Sequence, residues 1–244
     1  MILQKLTKRS ITVVGLSASS LALFASSAMA QSTVWDATSQ FSAPTQPANW
    51  AYLQRTGAGC VTPGSVLPAG YSPAPGLVGY IAGPIPLVAK NTNTTQTAFS
   101  SVKVDAGKLW MHPGTKGECA VVRFKAPSAG TYVVEVTMKA IDVASPNVVR
   151  GYVFGSNAPA VAVGGLETLN AGGAYGTTKS FTRTVSVLGA NRYIDFAIDD
   201  GANADPLGPF RFDSTQVELR ICRIGGPGMG GVMGGDIKRC DRPR

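Results

Sequence analysis

The sequence predicts an all-β chain folded as an antiparallel β-sandwich. Three observations carry that expectation. Apolar residues recur with a period of two, Gly- and Pro-containing breaks separate the alternating segments, and no stretch after the first thirty residues shows a helical stripe. Side chains alternate across a strand, so period-two patterning marks segments with one face in a core. Many short strands between such turns indicate two stacked sheets.

The first thirty residues are set apart. Lys5, Lys8 and Arg9 form a charged start, "SITVVGLSASSLALFASS" is an apolar run, and "AMA" precedes Gln31. Charge, apolar core and a small–x–small cleavage site are the features of a secretory signal. The run is Ser-rich and short beside the ~20 apolar residues that cross a bilayer. The expected organisation is a signal peptide over 1–30, a sandwich domain over 31–224 and a flexible Gly-rich basic tail over 225–244. The mature product is expected to be exported, periplasmic or extracellular, and not an integral membrane protein.

The strands follow from the alternation. In "TYVVEVTMK", Tyr132, Val134, Val136 and Met138 share a face opposite Glu135, Thr137 and Lys139. "STQVELRIC" sets Val217, Leu219 and Ile221 against Gln216, Glu218 and Arg220. "RYIDFAI" aligns Ile194, Phe196 and Ile198, and "ECAVVRF" aligns Ala120, Val122 and Phe124. "SFTRTVSVL" is looser, with Arg183 interrupting its apolar side. The breaks "HPGTKG", "APSAG", "ASPN", "LNAGGAYG", "LGAN" and "DDGANADPLGP" supply turn residues. Residues 60–98 hold little pattern and are expected to be long loops.

Charge and cysteines narrow the function classes. The formal net charge of +8 becomes +5 once the three signal cations are removed (8 − 3). No basic stripe with interleaved aromatics is present, so a nucleic-acid partner is not expected. Cys60, Cys119, Cys222 and Cys240 form no C-x-x-C pair, and the chain has one histidine, His112; both speak against zinc. An even cysteine count in an exported chain points to two disulfides. Of three pairings, Cys222–Cys240 with Cys60–Cys119 is preferred, because the first ties the tail to the last strand.

Three stretches resemble one known module. "WDATSQFSAPTQPANWAYL" is similar to the opening of a jelly-roll module of exported bacterial proteins. "LWMHPG" with "AVVRFKAPSAGTYVVEV" resembles its central part, and "NRYIDFAIDDGANADPLGPFRFDSTQVELRI" its close. Phe124 stands where that module usually has tryptophan, and the cysteines and tail are departures. The resemblance implies a jelly-roll fold akin to galactose-binding and carbohydrate-binding domains, and no activity.

The candidate ligand-binding residues are Trp35, Trp50, Tyr52, Trp110 and Arg123: flat rings stack on sugar faces and polar neighbours bond hydroxyls, although such rings also fill cores. Core placement is favoured for Trp50 and Trp110. Asp199, Asn203 and Asp205, with Asp213, offer oxygens for calcium. No glutamate closes that set, which favours a solvated hairpin loop instead. His112, just before Pro113-Gly114, reads as a strand-to-turn residue bonding loop backbone rather than as a base. No nucleophile motif and no marked carboxylate pair is present. The expected function is non-catalytic binding of a glycan or cell-envelope component, without a required cofactor. The alternatives are a structural or adhesive envelope protein and a small glycan-acting hydrolase. The sequence leaves the oligomeric state open.

Overall fold

The computed structural model describes residues 34–83, 85–115, 117–144, 148–170, 172, 174–201, 213–224 and 240. The expected signal segment and the tail, apart from Cys240, lie outside the described residues. The strands are β1 Val34–Asp36, β2 Trp50–Thr56, β3 Thr62–Val66, β4 Ala69–Tyr71, β5 Leu77–Ile81, β6 Leu87–Asn91, β7 Thr97–Phe99 and β8 Val102–Val104. They continue with β9 Leu109–His112, β10 Cys119–Lys125, β11 Gly130–Ala140, β12 Val148–Gly155, β13 Ala162–Asn170, β14 Thr178–Val187, β15 Tyr193–Asp199 and β16 Thr215–Ile224.

Two antiparallel sheets stack face to face. The first runs β14-β11-β16-β9-β6-β5-β4, with β1 also beside β16; the second runs β13-β12-β15-β10-β2-β3. From β9 to β12 the chain changes sheet at every step, the winding of a jelly roll. The hairpin β7–β8 forms a small third sheet. Its Val102 and Val104 pack with Leu87, Ala89 and Trp110, so it covers the outer face of the first sheet.

The alternation read from the sequence sets the core. Ala120, Val122 and Phe124, Tyr132 to Met138, Ile194 to Ile198, and Val217 to Ile221 all send their predicted faces into one buried cluster between the sheets. Arg183 shares the inward side of β14 with Phe181 and Val185. It escapes burial by reaching the sheet edge, where its guanidinium meets Glu167 and the Val163 carbonyl.

Residues 60–98 depart from expectation: they carry β3 to β7 rather than long loops. β5 and β6 are buried on both sides, so apolar residues do not alternate with polar ones there. β3 and β4 are short edge strands with Gly and Pro, whose residues are mostly exposed. At Gly79 an added Cβ would lie 2.5 Å from the Val88 carbonyl oxygen, so the β5–β6 approach requires glycine.

The preferred disulfides form. Cys60–Cys119 ties the turn after β2 to β10, and Cys222–Cys240 anchors residue 240 to β16. The Cys240 amide also donates to Glu135 Oε1 at 2.8 Å. Among the described residues, no helix is long and apolar enough to cross a membrane.

Candidate functional site

Three of the predicted ligand-binding rings belong to the core. β2 turns Trp50 and Tyr52 inward and Ala51, Leu53 and Arg55 outward. Trp50 and Tyr52 have no exposed surface. Trp50 Nε1 donates to Gln40 Oε1 at 2.8 Å, and Tyr52 stacks on Tyr80 at 4.7 Å. Trp35 packs 5.0 Å from Phe124. A ring held between two sheets offers no face to a sugar, which corrects Trp35, Trp50 and Tyr52 as binding-platform candidates and meets the core placement favoured for Trp50.

Arg123 is also corrected. It projects from β10 on the outer face of the second sheet and grips Asp195 with both arms, Nε to Oδ1 at 2.7 Å and a terminal nitrogen to Oδ2 at 2.8 Å. Its guanidinium lies 3.8 Å above the Tyr193 ring. Arg55 reaches the same carboxylate at 2.9 Å and bonds the Val61 and Pro159 carbonyls. Asp195 and Arg55 are buried. Burial alone would lower the Arg123 pKa, but the Asp195 hydrogen bonds and charge outweigh it and hold it above the ordinary value. Its fork is committed to structure.

The calcium reading divides. Asn203 and Asp205 lie outside the described residues. Asp199 is corrected as a free ligand: Arg150 binds it through two nitrogens at 3.0 and 3.1 Å, and Tyr152 donates to it at 2.8 Å. The Gly201 amide completes the turn at 2.9 Å. Asp213 is buried just before β16. Among the described residues, no three His, Cys, Asp or Glu side chains gather as a metal site.

Trp110 has a different setting. β9 turns Leu109 and Met111 into the sandwich and Trp110 outward, toward the β7–β8 hairpin. Trp110 and His112 line a cavity of about 240 Å³ with Tyr71, Phe99, Ser101, Asp142 and Ser214. The Tyr71 and Phe99 rings each lie 6.1 Å from Trp110. Topology assembles this wall from distant sequence. Thr215 pairs with Met111 across β16 and β9, which brings Ser214 opposite His112. Asp142 bridges to Val102, and the Ile141 amide bonds the Ser214 carbonyl at 3.1 Å.

The polar groups here are incompletely paired. Trp110 and Ser214 are each 2% exposed, and neither Trp110 Nε1 nor Ser214 Oγ has a hydrogen-bond partner among the described residues. Both atoms lie beneath the cavity surface, so a ligand reaching them has to part the side chains above. Leaving a buried donor unmet costs about 1–3 kcal/mol. His112 Nδ1 lies 2.7 Å from the Pro113 carbonyl oxygen. A carbonyl only accepts, so Nδ1 carries the proton and Nε2 holds a lone pair. Burial lowers the His112 pKa, against raising contributions from that hydrogen bond and from Asp142. The expectation of a strand-end histidine bonding turn backbone is met.

Ser, His and Asp together invite comparison with a hydrolytic triad, but the bonding differs. A triad uses the carboxylate to hold the histidine Nδ1 proton. Here a backbone carbonyl takes that proton, and Asp142 accepts from Ser101 Oγ and the Ala144 amide, each at 3.0 Å. The arrangement can bind and orient hydroxyl groups; it does not line up a base with a nucleophile.

No family model and no curated protein matches the chain. Among solved structures, it is similar to the K2 cleaved adhesin domain of Lys-gingipain, at 13% identity over 79% of this chain and 99% of that one, with a TM-score of 0.37. It is also similar to a mutant of a family 29 carbohydrate-binding module, at 13% identity over 79% of this chain and 92% of that one, with a TM-score of 0.36. Likenesses this distant assign no ligand to the cavity.

Proposed function

We propose that this chain is an exported, non-catalytic binding module that holds one ring-sized, hydroxyl-bearing unit of a glycan in the cavity beside Trp110. The observation that carries the reading is the pair of unpartnered buried groups, Trp110 Nε1 and Ser214 Oγ, on side chains that line it. Binding sites combine apolar walls with a few polar groups that fix orientation. Tyr71, Phe99 and Trp110 are the walls; Ser214, His112 and Asp142 supply the polar groups. A hydroxyl both donates and accepts, so sugar hydroxyls can answer an indole N–H and an imidazole lone pair. The volume of about 240 Å³ is below the ~300–1,000 Å³ of drug-sized sites, which suits a single ring. Two disulfides support an oxidising compartment.

A glycan array probed with the full chain and with Trp110→Phe tests the proposal. The variant keeps an aromatic ring and removes one hydrogen-bond donor, so retention on the best glycan should weaken by about five- to tenfold. Absence of retention across a broad panel by folded protein, or retention that Trp110→Phe leaves unchanged, would overturn it.

A further inference from the structure

We infer that the cavity selects uncharged or cationic sugars and rejects uronic acids, with Asp142 as the specificity-determining residue. This rests on the cavity being a glycan site and adds the charge class of its occupant. Asp142 is 3% exposed and lines the cavity with His112. Its oxygens accept from two neutral donors, Ser101 Oγ and the Ala144 amide. Among the described residues no Lys or Arg forms an ion pair with it. The other two buried aspartates on sheet faces, Asp195 and Asp199, are each clasped by arginine. Asp142 therefore keeps an unneutralised negative field beside the ligand.

The rest of the wall acts in the same direction. His112, with Nδ1–H given to Pro113, has only a lone pair left at Nε2. A ligand carboxylate is an acceptor without a proton to give. It would face a second carboxylate and an imidazole lone pair, and like charges repel. A hydroxyl has a proton for either group, and an ammonium is attracted to Asp142. The rejection is local. The full sequence carries +8, or +5 without the three signal cations (8 − 3), and either by itself would draw anionic sugars in.

The experiment is a titration of the ¹⁵N-labelled full chain with methyl glucoside, methyl glucuronide and glucosamine, and with the corresponding galactose set. The readout is the Trp110 indole N–H resonance, identified by its loss in Trp110→Phe. The expected order is the amino sugar at least as tight as the neutral sugar, and the uronide at least about tenfold weaker. Asp142→Asn should close that gap by about tenfold. Uronides binding as well as neutral sugars to the unaltered chain would overturn the inference, and so would a gap unchanged in a folded Asp142→Asn variant. The ranking on the unaltered chain decides the matter if that variant does not fold. Failure of every sugar to move the Trp110 resonance would reject the glycan reading itself, a result distinct from movement without charge preference.

Discussion

On the outer face of the second sheet, Asp195 has no exposed surface and is gripped by Arg55 and Arg123. On the outer face of the first, Asp142 is nearly as deep, has only neutral donors, and borders a cavity. The second-sheet face is closed by the Cys60–Cys119 bridge and by aromatic rings over both guanidinium groups. Within the Arg55–Asp195–Arg123 cluster, Arg55 Nε is unmet among the described residues, on a side chain whose other nitrogens are bonded. On the first-sheet face, Trp110 Nε1 and Ser214 Oγ are unmet just beneath the surface of the cavity. The contrast sets charge paired within the fold against buried polar atoms left unpaired at the proposed site. Charge alone points to Arg123, whose fork is already bonded to Asp195.

That division breaks most visibly at Asp195. Asp195→Ala leaves two arginines facing each other without their shared counter-ion, one of them buried, and should cost about 5 kcal/mol, the upper range for halving a buried pair. Urea unfolding measures it. A loss below about 1 kcal/mol would mean that the ion pairs are incidental. Removing the covalent closure is next. With Cys60 and Cys119 separated by 59 positions in sequence, replacing both by Ala should cost about 4 kcal/mol in the chain-entropy account, read in the same assay.

A smaller effect separates the faces by pH. His112 has its pKa lowered in the fold from the ordinary 6.5, so below that pH the unfolded chain takes up a proton more readily than the native one. Its contribution is whole above about pH 6.5, declines as pH falls, and levels off below the folded pKa. Thermal melts of the unaltered chain should show this decline, and His112→Gln should remove it. Glu167 acts in a separate window. Its hydrogen bond to Arg183 chiefly lowers its pKa from 4.5, so its stabilisation is lost only as pH falls below about 4.5. Arg123 and Arg150, held above their ordinary pKa by their aspartates, stay charged through both windows.

The fold was readable where one side of a strand meets solvent or a polar neighbour. β10, β11, β15 and β16 show their inward faces directly as alternation. β5 and β6 hid because both their sides are covered, which erases the period. The preferred disulfide pairing followed from cysteine number and the position of the tail. The site was scarcely readable. His112, Asp142 and Ser214 stand far apart in sequence and meet only because β16 pairs with β9 and the segment after β11 crosses to β8. No local spacing encodes that meeting. Aromatic residues near the module-like motifs divide between the two faces, Trp35, Trp50 and Tyr52 between the sheets and Trp110 in the cluster under the β7–β8 hairpin, since period-two position alone does not say which face of a two-sided sheet is occupied.

The most direct test is a crystal structure of the full chain with the oligosaccharide that binds it best. The account predicts one sugar ring between Tyr71, Phe99 and Trp110, with a hydroxyl bonded to Trp110 Nε1 and another near His112. Sugar density over Arg123 and Tyr193, with nothing bound beside Trp110, would contradict it.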